Sequence, residues 1–122
     1  MTRQRQIVFS TVAEAPLHLT AEEIYLRARE QMPSLARGTV YRNLGVLAEE
    51  GRIGKLEMPD APARYDRRCA PHPHLVCRGC GRVEDLAMPP GLLDPLTDTV
   101  AAAVTGFDLK LFYICPDCEA QD

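Results

Sequence analysis

Residues 34–51, SLARGTVYRNLGVLAEEG, carry the pattern on which the fold turns. Val40, Leu44 and Leu47 fall at i, i+4 and i+7, the spacing that stacks side chains on one side of an α-helix, and Gly51 follows as a natural close. The outward face is expected to show Thr39, Tyr41, Arg42 and Asn43, with Arg37 just before the helix start. Upstream, LTAEEIYLRAREQM (19–32) opens with Thr20 and Glu23, a capping box in which side chains satisfy the free backbone donors of a helix start. Its apolar stripe is Ile24, Tyr25 and Ala28, and Pro33 stops it. Further upstream, Ile7, Val8, Thr11 and Val12 recur at helical spacing between Thr2 and Ala15. Downstream, RIGKLEM (52–58) and ARYDRR (63–68) have strand character and are joined by PDAP (59–62), which reads as a hairpin. Three short helices and a hairpin are the layout of a winged helix-turn-helix. Such a domain lays its third helix in the DNA major groove, where Arg and Asn can reach base edges. The same polar residues would also suit a solvated helix face.

The back half alternates differently. HLVC (74–77), GRVEDL (81–86) and FDLKLFYIC (107–115) are expected as strands. Between them, Asp94 as N-cap and Pro95 as first helical residue predict a helix through Val104, with Leu96, Val100, Ala103 and Val104 on its apolar side. The fold class is therefore α+β, with a winged helix-turn-helix over residues 1–68 and a small α/β unit over 69–122. A unit that small needs a metal or a partner to stabilise it.

Hydrophobic residues at 46% and charged residues at 25% are ordinary globular values and exclude wholesale disorder. No apolar run approaches the ~18 residues of a membrane span, and the start of the chain lacks the order of a secretion signal, so a cytoplasmic protein is expected. The net charge is −3, but it is unevenly placed. Residues 1–68 hold 11 Lys and Arg against 9 Asp and Glu, whereas residues 69–122 hold 3 against 8. A mildly basic front and an acidic back suggest two jobs.

The acidic half holds the chemistry. Cys77, Cys80, Cys115 and Cys118 form two CxxC knuckles separated by 34 residues, the arrangement that closes a tetrahedron around a structural zinc, one per chain. Buried free thiols or a redox pair are the weaker alternatives. His72 and His74 stand two apart, so a strand would point both imidazoles to one side, towards a second ion or simply towards solvent. Asp66 and Asp85, on flanking strand segments, could add oxygen ligands. His18 lies in the loop entering the second helix, where a lone histidine is ordinarily a surface residue. Cys69 is the odd thiol, read as an inert surface residue.

Taken together, TVYRNL (39–44), HLTAEEIY (18–25), RYD (64–66), HPHLVCRGCGRVEDL (72–86) and CPDC (115–118) resemble the ferric uptake regulator (Fur) superfamily of bacterial metal-dependent repressors. The resemblance covers essentially the whole chain. It implies a homodimer with an N-terminal DNA-binding domain, a C-terminal dimerisation domain and a regulatory metal at the hinge. It further implies His18, Asp66, His72, His74 and Asp85 as the ligands of that metal. Aspartate at both positions 66 and 85 is similar to the peroxide-sensing repressor (PerR) branch; iron sensors commonly carry glutamate at both, and zinc sensors a cysteine at the first.

Two departures stand out. The additional leading helix of many relatives is not found before TRQRQ, and GFDLKLFYIC (106–115) is shorter than its counterpart and lacks the histidine and glutamate of a further metal site. That site is expected to be missing and the dimer sheet smaller.

The resemblance thus implies a non-enzymatic, metal-dependent repressor on a palindromic double-stranded DNA operator, with zinc for structure and Fe(II) or Mn(II) for regulation. Hydrogen peroxide would be its signal, through iron-catalysed oxidation of a ligand histidine, and no other small-molecule substrate or membrane is implied. The alternative within the superfamily is an iron, manganese or zinc uptake regulator that ignores peroxide. Two other classes compete. A metalloenzyme could activate water at an open His/Asp site, but no separate general base is evident. A zinc-ribbon adaptor would leave His72 and His74 incidental.

Overall fold

A computed structural model describes residues 1–15, 18–67 and 72–120 of the chain. It divides into two compact units, Met1–Ala70 and Pro71–Asp122.

In the first unit, α1 (Arg3–Glu14), α2 (Ala21–Gln31) and α3 (Arg37–Glu49) pack around one apolar core. Thr2 caps α1, its Oγ1 accepting from the backbone N–H of Arg5 at 3.2 Å. On α2 the capping box is complete. Thr20 Oγ1 accepts from Glu23 N at 3.2 Å, and Thr20 N donates to Glu23 Oε1 at 3.0 Å. Leu19 and Ile24 flank that cap at the staple positions, and both are buried within the same core. Val40, Leu44 and Leu47 of α3 are fully buried, as their spacing predicts, and Gly51 takes φ +72° just past the helix end. Arg37 is the first residue of α3, with Ala36 as N-cap, rather than standing outside the helix.

Strands β1 (Leu19–Thr20), β2 (Gly54–Leu56) and β3 (Arg64–Asp66) form an antiparallel sheet in the order β1-β3-β2. The expected hairpin is β2–β3, with Lys55 opposite Tyr65. Helices followed by this sheet make a winged helix-turn-helix. The sequence does not announce β1, a pair of residues doubling as the entry to α2. It pairs Leu19 with Tyr65, which brings the preceding residue, His18, to the level of Asp66.

The second unit holds β4 (His74–Cys77), β5 (Val83–Asp85), the single-turn α4 (Asp94–Thr97), β6 (Lys110–Tyr113) and α5 (Pro116–Glu119). Its sheet runs β5-β4-β6, with β4 antiparallel to β5 and parallel to β6. The buried apolar side chains described here are Val76, Cys77, Val83 and Cys115, a core that centres on the cysteines.

One expected element is corrected. The helix predicted from Asp94 to Val104 is a single turn, with Leu93 rather than Asp94 as N-cap, so Pro95 is its second residue. Leu96, Val100, Ala103 and Val104 are exposed. Thr97, Thr99, Val100, Val104 and Thr105 are β-branched and lose side-chain freedom in a helix. Short helices persist only when an apolar face is buried, and this unit buries none of that face. Among the described residues no helix is long and apolar enough to cross a membrane.

Candidate metal centres and nucleic-acid interface

The parallel pairing of β4 with β6 sets Cys77 opposite Tyr113, two residues before Cys115, so the two knuckles meet at one end of the sheet. Cys77 Sγ lies 3.7 Å from Cys118 Sγ, and Cys80 Sγ lies 3.8 Å from Cys115 Sγ. Four sulfurs placed ~2.3 Å from a central zinc at tetrahedral corners are separated by ~3.8 Å, so the spacing fits that ion. Backbone N–H groups of Gly79 and Cys115 both donate to Cys77 Sγ at 3.3 Å. Donation led by Cys115 draws the Cys77 thiol down to about 6, close to a resident thiolate. Cys118 is pushed up to about 12 because its proton is shared first with Cys115 and then with Cys77. At Gly79 a Cβ would stand 2.8 Å from Cys118 Sγ, so the knuckle closes only around a residue without a side chain. The donor set, its spacing and this cradle fit a structural zinc.

A second group lies at the other end of β4. His74 is directly opposite Asp85 across the β4–β5 ladder, and Leu86 N to Pro73 O at 3.0 Å extends the pairing back towards His72. Asp85 Oδ1 is 2.9 Å from His72 Nε2 and 3.4 Å from His74 Nε2. The rings approach to 4.2 Å between centroids, and both histidines are buried. His72 and His74 share a face, as their spacing predicts, and of the two alternatives, a common ion or solvent, the burial of both rings does not fit solvent. Two imidazoles and a carboxylate converging in this way are a mixed nitrogen and oxygen donor set that fits iron or manganese.

In the first unit, His18 Nε2 lies 3.1 Å from Asp66 Oδ2, and both side chains are largely buried. The β1–β3 ladder makes this pair, and Arg64 Nη1 fastens it by donating to the His18 carbonyl at 2.9 Å. The lone loop histidine is thus an inward-facing partner of a strand carboxylate. Cys69 lies outside the described residues.

Helix α3 presents a polar face, with one correction. Tyr41 is 45% exposed and Arg37 and Arg42 are exposed, whereas Thr39 is half-buried. Asn43, expected outside, is buried: its Nδ2 donates to the Thr39 carbonyl at 3.0 Å and its Oδ1 accepts from Arg5 Nε at 3.0 Å. Residue 43 is i+3 from Val40 and i−4 from Leu47, so it belongs to the inward stripe, where Arg5 and the helix backbone satisfy its amide.

Glu22 is a further polar residue on this face, one that no motif in the sequence marks. Its carboxylate takes two parallel bonds from Arg37, Nε to Oε2 and Nη2 to Oε1, each 2.8 Å, and a third from Tyr41 Oη at 3.3 Å. The Arg37 guanidinium also stacks over Tyr25, 4.5 Å from the ring centroid. The only sequence signal was an acidic residue at the start of α2, which a helix dipole explains without further partners.

The chain's relatives agree with this architecture. It is 32% identical over 127 residues to the peroxide operon regulator of Bacillus subtilis strain 168, an alignment covering 100% of this chain and 86% of that protein. Its fold superposes on the ferric uptake regulator of Helicobacter pylori with a TM-score of 0.87 at 28% identity, covering 98% of this chain and 81% of that one. The peroxide stress regulator of Campylobacter jejuni superposes with a TM-score of 0.81 at 27% identity, over 94% of this chain and 88% of that one. Residues 1–105 match the model of the ferric uptake regulator family, and the chain therefore belongs to that family.

Proposed function

We propose that the protein is a metal-dependent repressor of transcription that binds a palindromic DNA operator as a homodimer and is released by hydrogen peroxide. The observation that carries this reading is the convergence of the His72 and His74 Nε2 atoms on a single oxygen of Asp85, in a chain whose other unit is a winged helix. His18 and Asp66 would complete a five-residue shell around one Fe(II) or Mn(II), with zinc held by the four cysteines. A ligand set drawn from both units favours one relative orientation of reading head and dimer unit, and so the half-site spacing presented to DNA. The ion shifts that equilibrium only by its differential affinity for the two arrangements.

The homodimer is supported by apolar side chains left exposed on the second unit, among them Leu96, Val100, Leu111 and Ile114. Arg37, Thr39, Tyr41 and Arg42 are the proposed DNA contacts on α3; Asn43 acts behind them by holding Arg5. Arg42→Ala is expected to weaken operator binding about tenfold or more while leaving metal content intact. Unchanged affinity in a mobility-shift titration would remove α3 from the groove.

The peroxide branch is supported by aspartate at both carboxylate positions and by similarity to a peroxide operon regulator. Bound ferrous iron would supply one electron to split the O–O bond of peroxide and, once ferric, could take one back, while the chain would supply the imidazole that gives up two electrons overall and gains the oxygen. Treating the iron-loaded protein with peroxide is expected to add the mass of one oxygen atom to a peptide containing His18, His72 or His74. DNA release with all three peptides unmodified in the mass spectrum would leave the alternative, a metal-uptake regulator that ignores peroxide. None of these roles requires catalytic turnover, and the protein is read as a regulator, not an enzyme.

A further inference from the structure

We infer that Glu22 is an internal competitor for DNA phosphate, engaging Arg37 and Tyr41 so that non-operator duplex is bound less tightly than the helix face would otherwise allow. This rests on the proposed DNA-binding role of α3. A carboxylate and a phosphate present the same pair of oxygens to a guanidinium, and Arg37 already holds Glu22 through both arms of its fork at 2.8 Å. The second donor on that face, the Tyr41 hydroxyl, is turned to the same carboxylate at 3.3 Å. Stacking on Tyr25 fixes the guanidinium plane, so the fork is preorganised for an oxygen pair and filled by one. All three groups are accessible: Arg37 and Glu22 side chains are 55% and 46% exposed, and Tyr41 is 45% exposed. The bonds from Arg37, and then from Tyr41, hold the Glu22 carboxyl below its usual range, so the carboxylate that competes at neutral pH persists under mildly acidic conditions as well.

Glu22 holds the Nε–Nη2 edge of Arg37, so a phosphate takes that edge only by displacing the carboxylate, and on the remaining Nη1 edge it meets a guanidinium whose charge Glu22 already offsets. Random duplex offers phosphates in no particular register and forgoes this contact. An operator that seats the helix can bring one to the fork while base contacts offset the lost pair. Glu22 therefore acts as a specificity-determining residue, lowering background affinity.

The test uses the zinc- and manganese-loaded full chain and a fluorescent duplex of random sequence, with binding followed by anisotropy from about 50 to 200 mM salt. Glu22→Gln keeps the side-chain length and leaves the Thr20–Glu23 cap alone. Freeing one cation should steepen the slope of log K against log salt by about 0.9 and tighten binding roughly eightfold at about 0.1 M salt. Adding Arg37→Gln should cancel that gain, whereas Arg37→Gln alone, which leaves the Glu22 carboxylate unneutralised on that face, should weaken random-duplex binding. Equal or weaker binding by Glu22→Gln, or a gain that survives the loss of Arg37, would overturn the inference and show a pair that merely ties α2 to α3. If neither the native chain nor Glu22→Gln binds duplex at any salt, the DNA-binding reading falls, and the competitor with it.

Discussion

Asp85→Asn is expected to leave one zinc per chain, remove the second metal and abolish the metal dependence of operator binding. Asparagine matches the shape of the carboxylate but is neutral, and the single oxygen now shared by His72 and His74 would no longer be anionic. Hard divalent ions such as Mn(II) depend on charged oxygen donors more than zinc thiolate sites do. Loss of even an outer partner of a metal ligand costs ~10–100-fold in affinity, so loss of a ligating charge should exceed about 100-fold for Mn(II). The consequence for DNA follows from linkage. If metal improves operator affinity by some factor, operator improves metal affinity by the same factor, and a variant that holds no metal loses both. Isothermal titration with Mn(II), in the presence and absence of operator, measures both sides. Mn(II) binding unchanged from the native chain would remove Asp85 from the shell. Mn(II) binding lost, with operator affinity still rising on addition of manganese, would place the regulatory ion elsewhere.

How far the sequence reached depends on the distance over which each feature is determined. The Thr20–Glu23 cap, the Val40–Leu44–Leu47 stripe and the two CxxC knuckles are set within a few residues, and all are found where spacing put them. Asn43 lies inward although polarity predicts an outward side chain, because its position between Val40 and Leu47 decides direction more strongly than its polarity does. The helix predicted after Asp94 stops after one turn for a different reason: its apolar periodicity is real, but among the described residues of the second unit none covers that side. His18 could not be joined to Asp66 by spacing, since 48 positions separate them and only β1, a strand of two residues, sets them level. Glu22 and Arg37 are 15 residues apart on different helices, and a surface pair of that kind leaves no periodic trace.

Cys118→Ser should have the second large effect, loss of zinc followed by loss of the second unit's fold, seen as zinc released to a chromogenic chelator and disappearance of its cooperative unfolding. With so small an apolar core beside the sheet, the thiolate cluster is the main tie between β6 and β4 beyond their backbone ladder. Gly79→Ala separates metal geometry from thiol count. It keeps every sulfur, yet its Cβ would press to 2.8 Å from Cys118 Sγ and 3.1 Å from Cys118 Cβ, so zinc affinity should fall with four thiols still titratable. Acidity gives an independent handle with a defined sign. Cys118, held up to about 12, must surrender a proton to bind zinc anywhere below that, so affinity should rise about tenfold per pH unit or more through neutrality. Below about 6 the Cys77 thiolate is protonated as well, and the dependence should steepen. Its depressed value means that whatever stability its thiolate contributes is present above the ordinary thiol range and is lost as pH falls through about 6. Competition with a chelator of known proton dependence, run from about pH 8 to about pH 5, measures that slope. A flat profile would mean the sulfurs bind no metal in solution, and retention of zinc by Gly79→Ala at native affinity would mean the knuckle is looser than its 3.7 Å and 3.8 Å sulfur spacings require.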